Sequence, residues 1–171
     1  MTQRYQPRKT EVVEYRLQLY GMIIFLFLAL FLALSSIAHG AYYVDIINGN
    51  DSQQGISAET AWKTLHHAFG QIPEGDTLNV LPGVYSIANG EADAILSVTT
   101  DNVNIVGHYR PILQGAGLST TIWKYGIIIN ADGVTVEGME VVGFDAGILS
   151  EDHRPTIRRN LIHDMLDSGT G

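Results

Sequence analysis

The sequence after residue 40 predicts an all-β fold in which the chain coils into a parallel β-helix, a single-stranded solenoid of stacked rungs. A short pattern of alternating polar and apolar residues recurs at intervals of about 21 to 31 residues. Two further short apolar runs follow most of these patterns, and the turns between them are rich in glycine, of which the chain has 18. Strands this short become stable only when each coil stacks on the next.

The segment before residue 41 has the order of a secretory signal. Basic residues precede an unbroken apolar run at 22–34, and Ala38 and Gly40 are spaced like a signal-peptidase site. We expect a signal-peptide helix in residues 1–40, with cleavage near Gly40. An uncleaved signal anchor is the alternative, because a run extended to Ala38 reaches the lower limit of a membrane span. In either case the remainder would be secreted, periplasmic or at the cell surface.

Charge and composition restrict the partners of residues 41–171. Of the 10 basic and 18 acidic residues, four basic and two acidic residues precede residue 41, so the remainder carries six basic and 16 acidic residues. Such an acidic surface argues against a nucleic-acid partner. A membrane partner is expected only if the N-terminal segment is uncleaved. The absence of cysteine excludes disulfides, cysteine-ligated zinc and a thiol nucleophile.

Residues 60–70 predict an N-terminal capping α-helix of three turns. Its apolar face carries Trp62, Leu65, Ala68 and Phe69, a threonine is available as the N-cap, and Gly70 would end the helix. A solenoid needs such a cover, because its first rung otherwise exposes unpaired backbone and core side chains.

Three sets of short strands are predicted after the helix. The first set lies at 76–80, 101–105, 132–136 and 153–157, and these four segments align position by position. The second lies at 111–114, 139–142 and 160–163, and the third at 95–98, 126–129 and 146–149. No pair is joined by a two-residue hairpin turn, so we expect rungs that stack about 4.8 Å apart. An antiparallel sandwich is the alternative.

The last residues repeat an earlier unit without completing it. Residues 167–170 repeat 145–148, and no strand follows. We therefore expect the domain of residues 41–171 to be a fragment of about four rungs, truncated at its C-terminus. A partner chain that covers the open end is the alternative.

Several segments resemble secreted right-handed parallel β-helix proteins of the pectate-lyase-like superfamily. Residues 42–45, 48–52, 55–57, 61–65, 75–77 and 81–85 resemble the N-terminal signature, and residues 133–139 and 157–164 resemble the rung repeats. The resemblance implies a right-handed coil in an extracellular protein. Many members act on acidic polysaccharides as lyases, epimerases or hydrolases, and some have no known activity.

The longest unit contains an insertion at 116–125 that supplies candidate substrate-binding residues. Trp123 and Tyr125 can stack on sugar rings, and Lys124 can pair with a uronate carboxylate. Arg154 is a further candidate. The alternatives are that Trp123 only packs the loop onto the rungs, and that the arginines of the last unit form surface ion pairs with Glu137, Glu151 or Asp152.

Acidic turns in the last two units suggest a calcium site. Asp152, Asp164 and Asp167 are the candidate ligands, because calcium takes six to eight oxygen ligands and clustered carboxylates can supply them. A solvated acidic face is the alternative. The oxygen-rich turn at 48–51 is more typical of local hydrogen bonding.

The resemblance, together with these candidate residues, implies an extracellular protein that acts on acidic polysaccharide, as a uronate lyase or epimerase, or the N-terminal part of one. One alternative is a non-catalytic module for carbohydrate binding or surface structure. The other is a glycoside hydrolase, which needs two carboxylates about 5 to 9.5 Å apart.

Overall fold

The computed structural model describes residues 18–27, 39–92, 96–115, 125–151 and 153–166. The chain divides into two compact units, Met1–Ala38 and His39–Gly171. Within the first unit, residues 18–27 are helical. None of the helices in the described ranges has the length and apolar character that a membrane crossing requires.

The described part of the second unit consists mainly of twelve short strands. In chain order they are β1 Ala41–Val44, β2 Thr77–Val80, β3 Val84–Tyr85, β4 Ser97–Val98, β5 Asn104–Gly107, β6 Ile112–Gln114, β7 Tyr125–Ile129, β8 Thr135–Glu137, β9 Glu140–Val142, β10 Ala146–Leu149, β11 Thr156–Arg158 and β12 Leu161–His163.

The strands form three sheets. Sheet A has the order β1-β2-β5-β8-β11, sheet B the order β3-β6-β9-β12, and sheet C the order β4-β7-β10. From β2 onwards the chain visits A, B and C in turn, and every strand pairing is parallel. The predicted all-β character and parallel pairing are confirmed, and the antiparallel sandwich is wrong for these strands.

Aligned apolar positions on neighbouring strands form the core. In sheet A, Leu78, Ile105 and Val136 are in register and fully buried. In sheet B the corresponding row contains Leu113 and Val141. Because side chains alternate between the two faces of a strand, the intervening residues point away from this core. Burying each such aliphatic side chain contributes about 1.5 to 3 kcal/mol relative to exposure.

The structure corrects the first repeat alignment. The sequence pattern aligned Thr77 with Asn102, whereas Thr77 pairs with Asn104. Asn102 instead lies in a turn, where it has a φ of 59° and where the Asp101 carboxylate accepts the Asp132 N–H at 2.8 Å. The shift leaves the same face buried, since it spans two positions and strand side chains alternate with a period of two.

The later alignments in sheet A are confirmed. Asn104 pairs with Thr135, and Thr135 pairs with Thr156, as the sequence pattern predicts. The repeat therefore keeps its register from β5 to β11, although the segments between these strands differ in length.

The cap helix is shorter than predicted, because it spans Leu65–Gln71, about two turns and not three. Thr64 is its N-cap, and its side chain accepts the His67 N–H. The Asp51 carboxylate accepts the backbone N–H groups of Lys63 and Thr64, which holds the preceding backbone outside the helix. Trp62 is buried but lies before the helix, where it bridges to Val44.

A buried carboxylate holds the start of the cap helix. Glu91 is 4% exposed, and its two oxygens accept the N–H groups of Leu65 at 2.8 Å and His66 at 3.1 Å. Burial raises the pKa of Glu91 from its usual value, although these hydrogen bonds oppose the shift. The carboxylate therefore connects the helix to the turn that follows β3.

Replacing Glu91 by Ala is expected to lower the free energy of unfolding by about 1 to 3 kcal/mol, because the buried N–H of Leu65 and the partly buried N–H of His66 lose their acceptor. Urea denaturation of the full chain measures this loss. Glu151→Ala, at an exposed position, is the matched control and should change stability far less. Equal losses in the two variants would contradict the capping role.

Candidate functional site

A groove of about 590 Å³ runs across the turns that follow the strands of sheet B. Residues 86–88, 114–115 and 142–143 line it. The register of β6 and β9 places Gln114 beside Val142, so each rung contributes the residues at the same position of the coil. Function at such a site depends on the turns, because the strands serve as the scaffold.

Two glycines form the floor of this groove. A Cβ atom on Gly115 would overlap the carbonyl oxygen of Gly143, the glycine on the next rung. Gly143 itself has a φ of 75°, which disfavours other residues. The floor is therefore backbone without side chains, and a flat ligand can approach it closely.

The predicted substrate-binding insertion, residues 116–125, begins directly after a residue of this groove. Gly115 precedes it and lines the groove, and Tyr125, its last residue, is 38% exposed and is the first residue of β7. On the next rung, Gly143 and Ala146 are three positions apart in the chain, a distance of at most about 11 Å. Gly143 lies beside Gly115, and Ala146 is in register with Tyr125. The two ends of the insertion are therefore separated by a distance similar to that between Gly143 and Ala146, and Trp123 and Lys124 lie outside the described residues.

A histidine between two carboxylates lies one rung further along sheet B. His163 Nε2 is 3.1 Å from Glu140 Oε1, and His163 Nδ1 is 2.9 Å from Asp164 Oδ2. Hydrogen bonds to Glu140 and then to Asp164 raise the pKa of His163 above its usual 6.5. His163 is in register with Val142, so the cluster continues the line of groove residues. The sequence does not reveal this contact, because the spacing of His163 from Glu140 matches no recognised motif.

The calcium site stays a prediction. Of the three candidate ligands, Asp152 and Asp167 lie outside the described residues, and the Asp164 carboxylate contacts His163. Within the described ranges, no group of three histidine or acidic side chains is arranged to hold a metal ion. The described residues therefore do not by themselves fit calcium.

The other basic residues of the last unit lie on different turns. Arg154 lies before β11, on the connection that leads from sheet C to sheet A, whereas Tyr125 lies at the start of a sheet C strand. The two turns are therefore separated by the length of a sheet C strand. From Tyr125 to Ile129 this length is about 13 Å. Arg158 Nε lies 2.7 Å from Glu137 Oε2, which is the surface pairing that the sequence analysis held as the alternative.

Local hydrogen bonding explains the other polar turn. The Asn50 side chain accepts the Ser52 N–H, and Asp51 also accepts the Thr64 hydroxyl proton. Both contacts agree with the structural role that the sequence predicted for residues 48–51.

Comparison of the chain with protein families, with curated proteins and with solved structures finds no match. The resemblance to the pectate-lyase-like superfamily therefore stays a prediction.

Glu140→Gln is expected to lower the pKa of His163 towards 6.5, because the largest contribution to its raised value is removed. The stabilising contribution of the His163 pair is present below pH 6.5 and is lost as the pH rises through the raised pKa. An NMR titration of the imidazole signals measures the shift. Glu137→Gln, on the neighbouring strand, should leave the titration of His163 unchanged, and a similar shift in both variants would contradict the assignment.

Proposed function

We propose that the three parallel sheets are the faces of a right-handed parallel β-helix. The fixed order of visits to sheets A, B and C, and the in-register burial of Leu78, Ile105 and Val136, support this architecture. A right-handed coil is proposed because parallel crossover connections are right-handed in about 98% of cases.

The protein acts outside the cytoplasm in this proposal. The basic residues, the apolar run and the small-residue pair of residues 1–40 support export. Residues 41–171, with six basic and 16 acidic residues, then form a soluble acidic domain at the cell surface, in the periplasm or outside the cell.

The groove across the turns of sheet B binds an acidic polysaccharide. The observation that carries this proposal is that Gly115, the residue directly before the insertion, lines the groove. In this proposal the rings of Trp123 and Tyr125 stack on sugar rings, and the Lys124 ammonium pairs with a uronate carboxylate. The flat glycine floor admits the sugar backbone between these contacts.

The reaction class is uronate elimination or epimerisation, in which a base removes the proton next to the sugar carboxylate. Lys124 pairs with that carboxylate and so lowers the cost of the negative charge that develops there. Hydrogen bonds to Glu140 and Asp164 raise the pKa of His163, so it carries a proton at a higher pH than an ordinary histidine, and donating that proton to a sugar oxygen requires one of these two hydrogen bonds to open.

A non-catalytic carbohydrate-binding module is the second candidate, and one observation favours it. Arg158 and Arg159 lie against Glu137, and His163 lies between two carboxylates, so each of these described basic side chains is already paired. A paired base is a poor proton acceptor. Binding without product formation would support this candidate.

Lys124→Ala is expected to weaken binding of a uronate polymer by about 1 to 3 kcal/mol, because a charged hydrogen bond is lost. Calorimetry with pectate, alginate and glycosaminoglycan measures the binding, and near-ultraviolet absorbance detects unsaturated elimination products. Lys63→Ala, beside the cap helix, is the matched control and should bind as the parent does. Equal binding by both variants, or no binding by the parent protein, would contradict the proposal.

A further inference from the structure

The connection from sheet A to sheet B is extended between β5 and β6. Five residues, 107–111, separate the paired parts of β5 and β6, whereas two residues, 138–139, separate the paired parts of β8 and β9. The longer connection carries Tyr109, which is 93% exposed, and Arg110, which is also exposed. We call residues 107–111 the extended turn.

The backbone of the extended turn is strained at two successive residues. Tyr109 has a φ of 56° and Arg110 has a φ of 60°, both in the left-handed region. This conformation is unfavourable for a residue with a Cβ atom, whereas glycine adopts it freely. The chain therefore presents these two side chains at a conformational cost, and such strain is concentrated at binding and catalytic positions.

Contacts at both ends hold the extended turn in place. The His108 N–H donates to the Val80 carbonyl at 2.9 Å, and His108 Nε2 lies 2.8 Å from Asn79 Oδ1. At the other end, the Pro111 carbonyl accepts the Glu140 N–H at 2.9 Å. A turn fixed in this way loses little conformational freedom when it binds a ligand.

The two exposed side chains suit a ring that carries a carboxylate. The flat face of Tyr109 can stack on a sugar ring, and the planar guanidinium of Arg110 matches a carboxylate with two parallel hydrogen bonds. None of the ion pairs in the described part of the chain includes Arg110. In a domain with six basic and 16 acidic residues, an unpaired arginine beside an exposed tyrosine favours an anionic sugar.

Strand β6 links the extended turn to the groove. Arg110 lies two positions before β6, and Gln114, the last residue of β6, lines the groove. These two residues are therefore at most about 14 Å apart. Leu113 is fully buried, so the side chains of Ile112 and Gln114 lie on the outward face of sheet B. A polymer on this face reaches the extended turn and the groove together.

One carboxylate lies along this path. Glu140 is in register with Ile112, and its Oε1 lies 3.1 Å from His163 Nε2. When His163 is protonated, its positive charge offsets that of Glu140, which reduces the repulsion felt by a uronate on this face.

We propose that Tyr109 and Arg110 bind a uronate unit of the polysaccharide that occupies the groove. The ring of Tyr109 stacks on the sugar ring, and the Arg110 guanidinium binds its carboxylate. This second contact rests on the function proposed above, and it places the polymer across the outward face of sheet B, along β6.

Calorimetry of the full chain with pectate, alginate and glycosaminoglycan tests this contact. For the polymer that the parent protein binds, Arg110→Ala should weaken binding about 5- to 150-fold, because a charged hydrogen bond is lost. Tyr109→Gly should weaken it about 2- to 10-fold, because the stacked ring is lost. Urea denaturation should show that Tyr109→Gly is not destabilised, since glycine relieves the left-handed strain. A destabilised Tyr109→Gly chain would indicate a structural role for the ring and overturn the proposal.

Arg159→Ala is the matched control. Arg159 is exposed, has a φ of 55° and lies on the connection between β11 and β12, which also leads from sheet A to sheet B. This variant should bind the polymer as the parent does. An equal loss of binding in Arg159→Ala and Arg110→Ala would show that only the overall charge matters and would overturn the proposal.

The Lys124→Ala variant separates this inference from the proposed function. Weaker binding by Lys124→Ala, with unchanged binding by Arg110→Ala and Tyr109→Gly, would overturn the second contact and leave the proposed function standing. No binding of any of the three polymers by the parent protein would overturn both.

Polyglutamate distinguishes a sugar from an acidic peptide, because it has carboxylates and no sugar ring. The parent protein should bind it more weakly than the uronate polymer, and Tyr109→Gly should not change that binding. Polyglutamate bound as tightly as the uronate polymer, with the same loss in Tyr109→Gly, would contradict sugar recognition and favour an acidic protein as the partner.

Discussion

The constraint on which the structure depends is the in-register, parallel stacking of very short strands. Strands this short do not bury enough apolar surface alone, so each inward residue must lie against an inward residue of the neighbouring parallel strand. The row of Leu78, Ile105 and Val136 satisfies this requirement in sheet A. Close approach of backbone at the turns follows from the same constraint, and it requires glycine at positions such as Gly115.

Because stacking assigns alternate residues to the core, the outward positions and the turns remain available for charge pairs and ligand contacts. Pairs form between side chains of successive rungs, as between Arg158 and Glu137 and between His163 and Glu140. The groove over Gly115 and Gly143 has the same origin, since the turns that follow two paired strands of sheet B lie side by side.

The strands were predictable because alternation and glycine-rich turns are local signals that stacking preserves. The partner of Thr77 was predicted two positions too early, because Asp101 and Asn102 imitate the polar start of a strand but form a turn. The helix was predicted one turn too long, since the hydrogen bonds from Lys63 and Thr64 to Asp51 are not visible in the pattern. Of the predicted site, Tyr125 begins β7 and Arg154 lies on another turn, before β11. The contact between Glu140 and His163 depends on the register of β9 and β12, and that register cannot be deduced from the identity of the two residues.

The most direct test of the stacked register compares two pairs of introduced cysteines in β2 and its neighbouring rung. The account predicts that Thr77→Cys with Asn104→Cys forms a disulfide under mild oxidation, because adjacent in-register strands lie about 4.8 Å apart. Thr77→Cys with Asn102→Cys should not, since an offset of two positions separates the Cα atoms by about 8 Å, beyond the reach of a disulfide. Mass spectrometry of the digested, non-reduced chain identifies the linked peptides. A link in the Asn102 pair but not in the Asn104 pair would contradict the register on which the core and the groove depend.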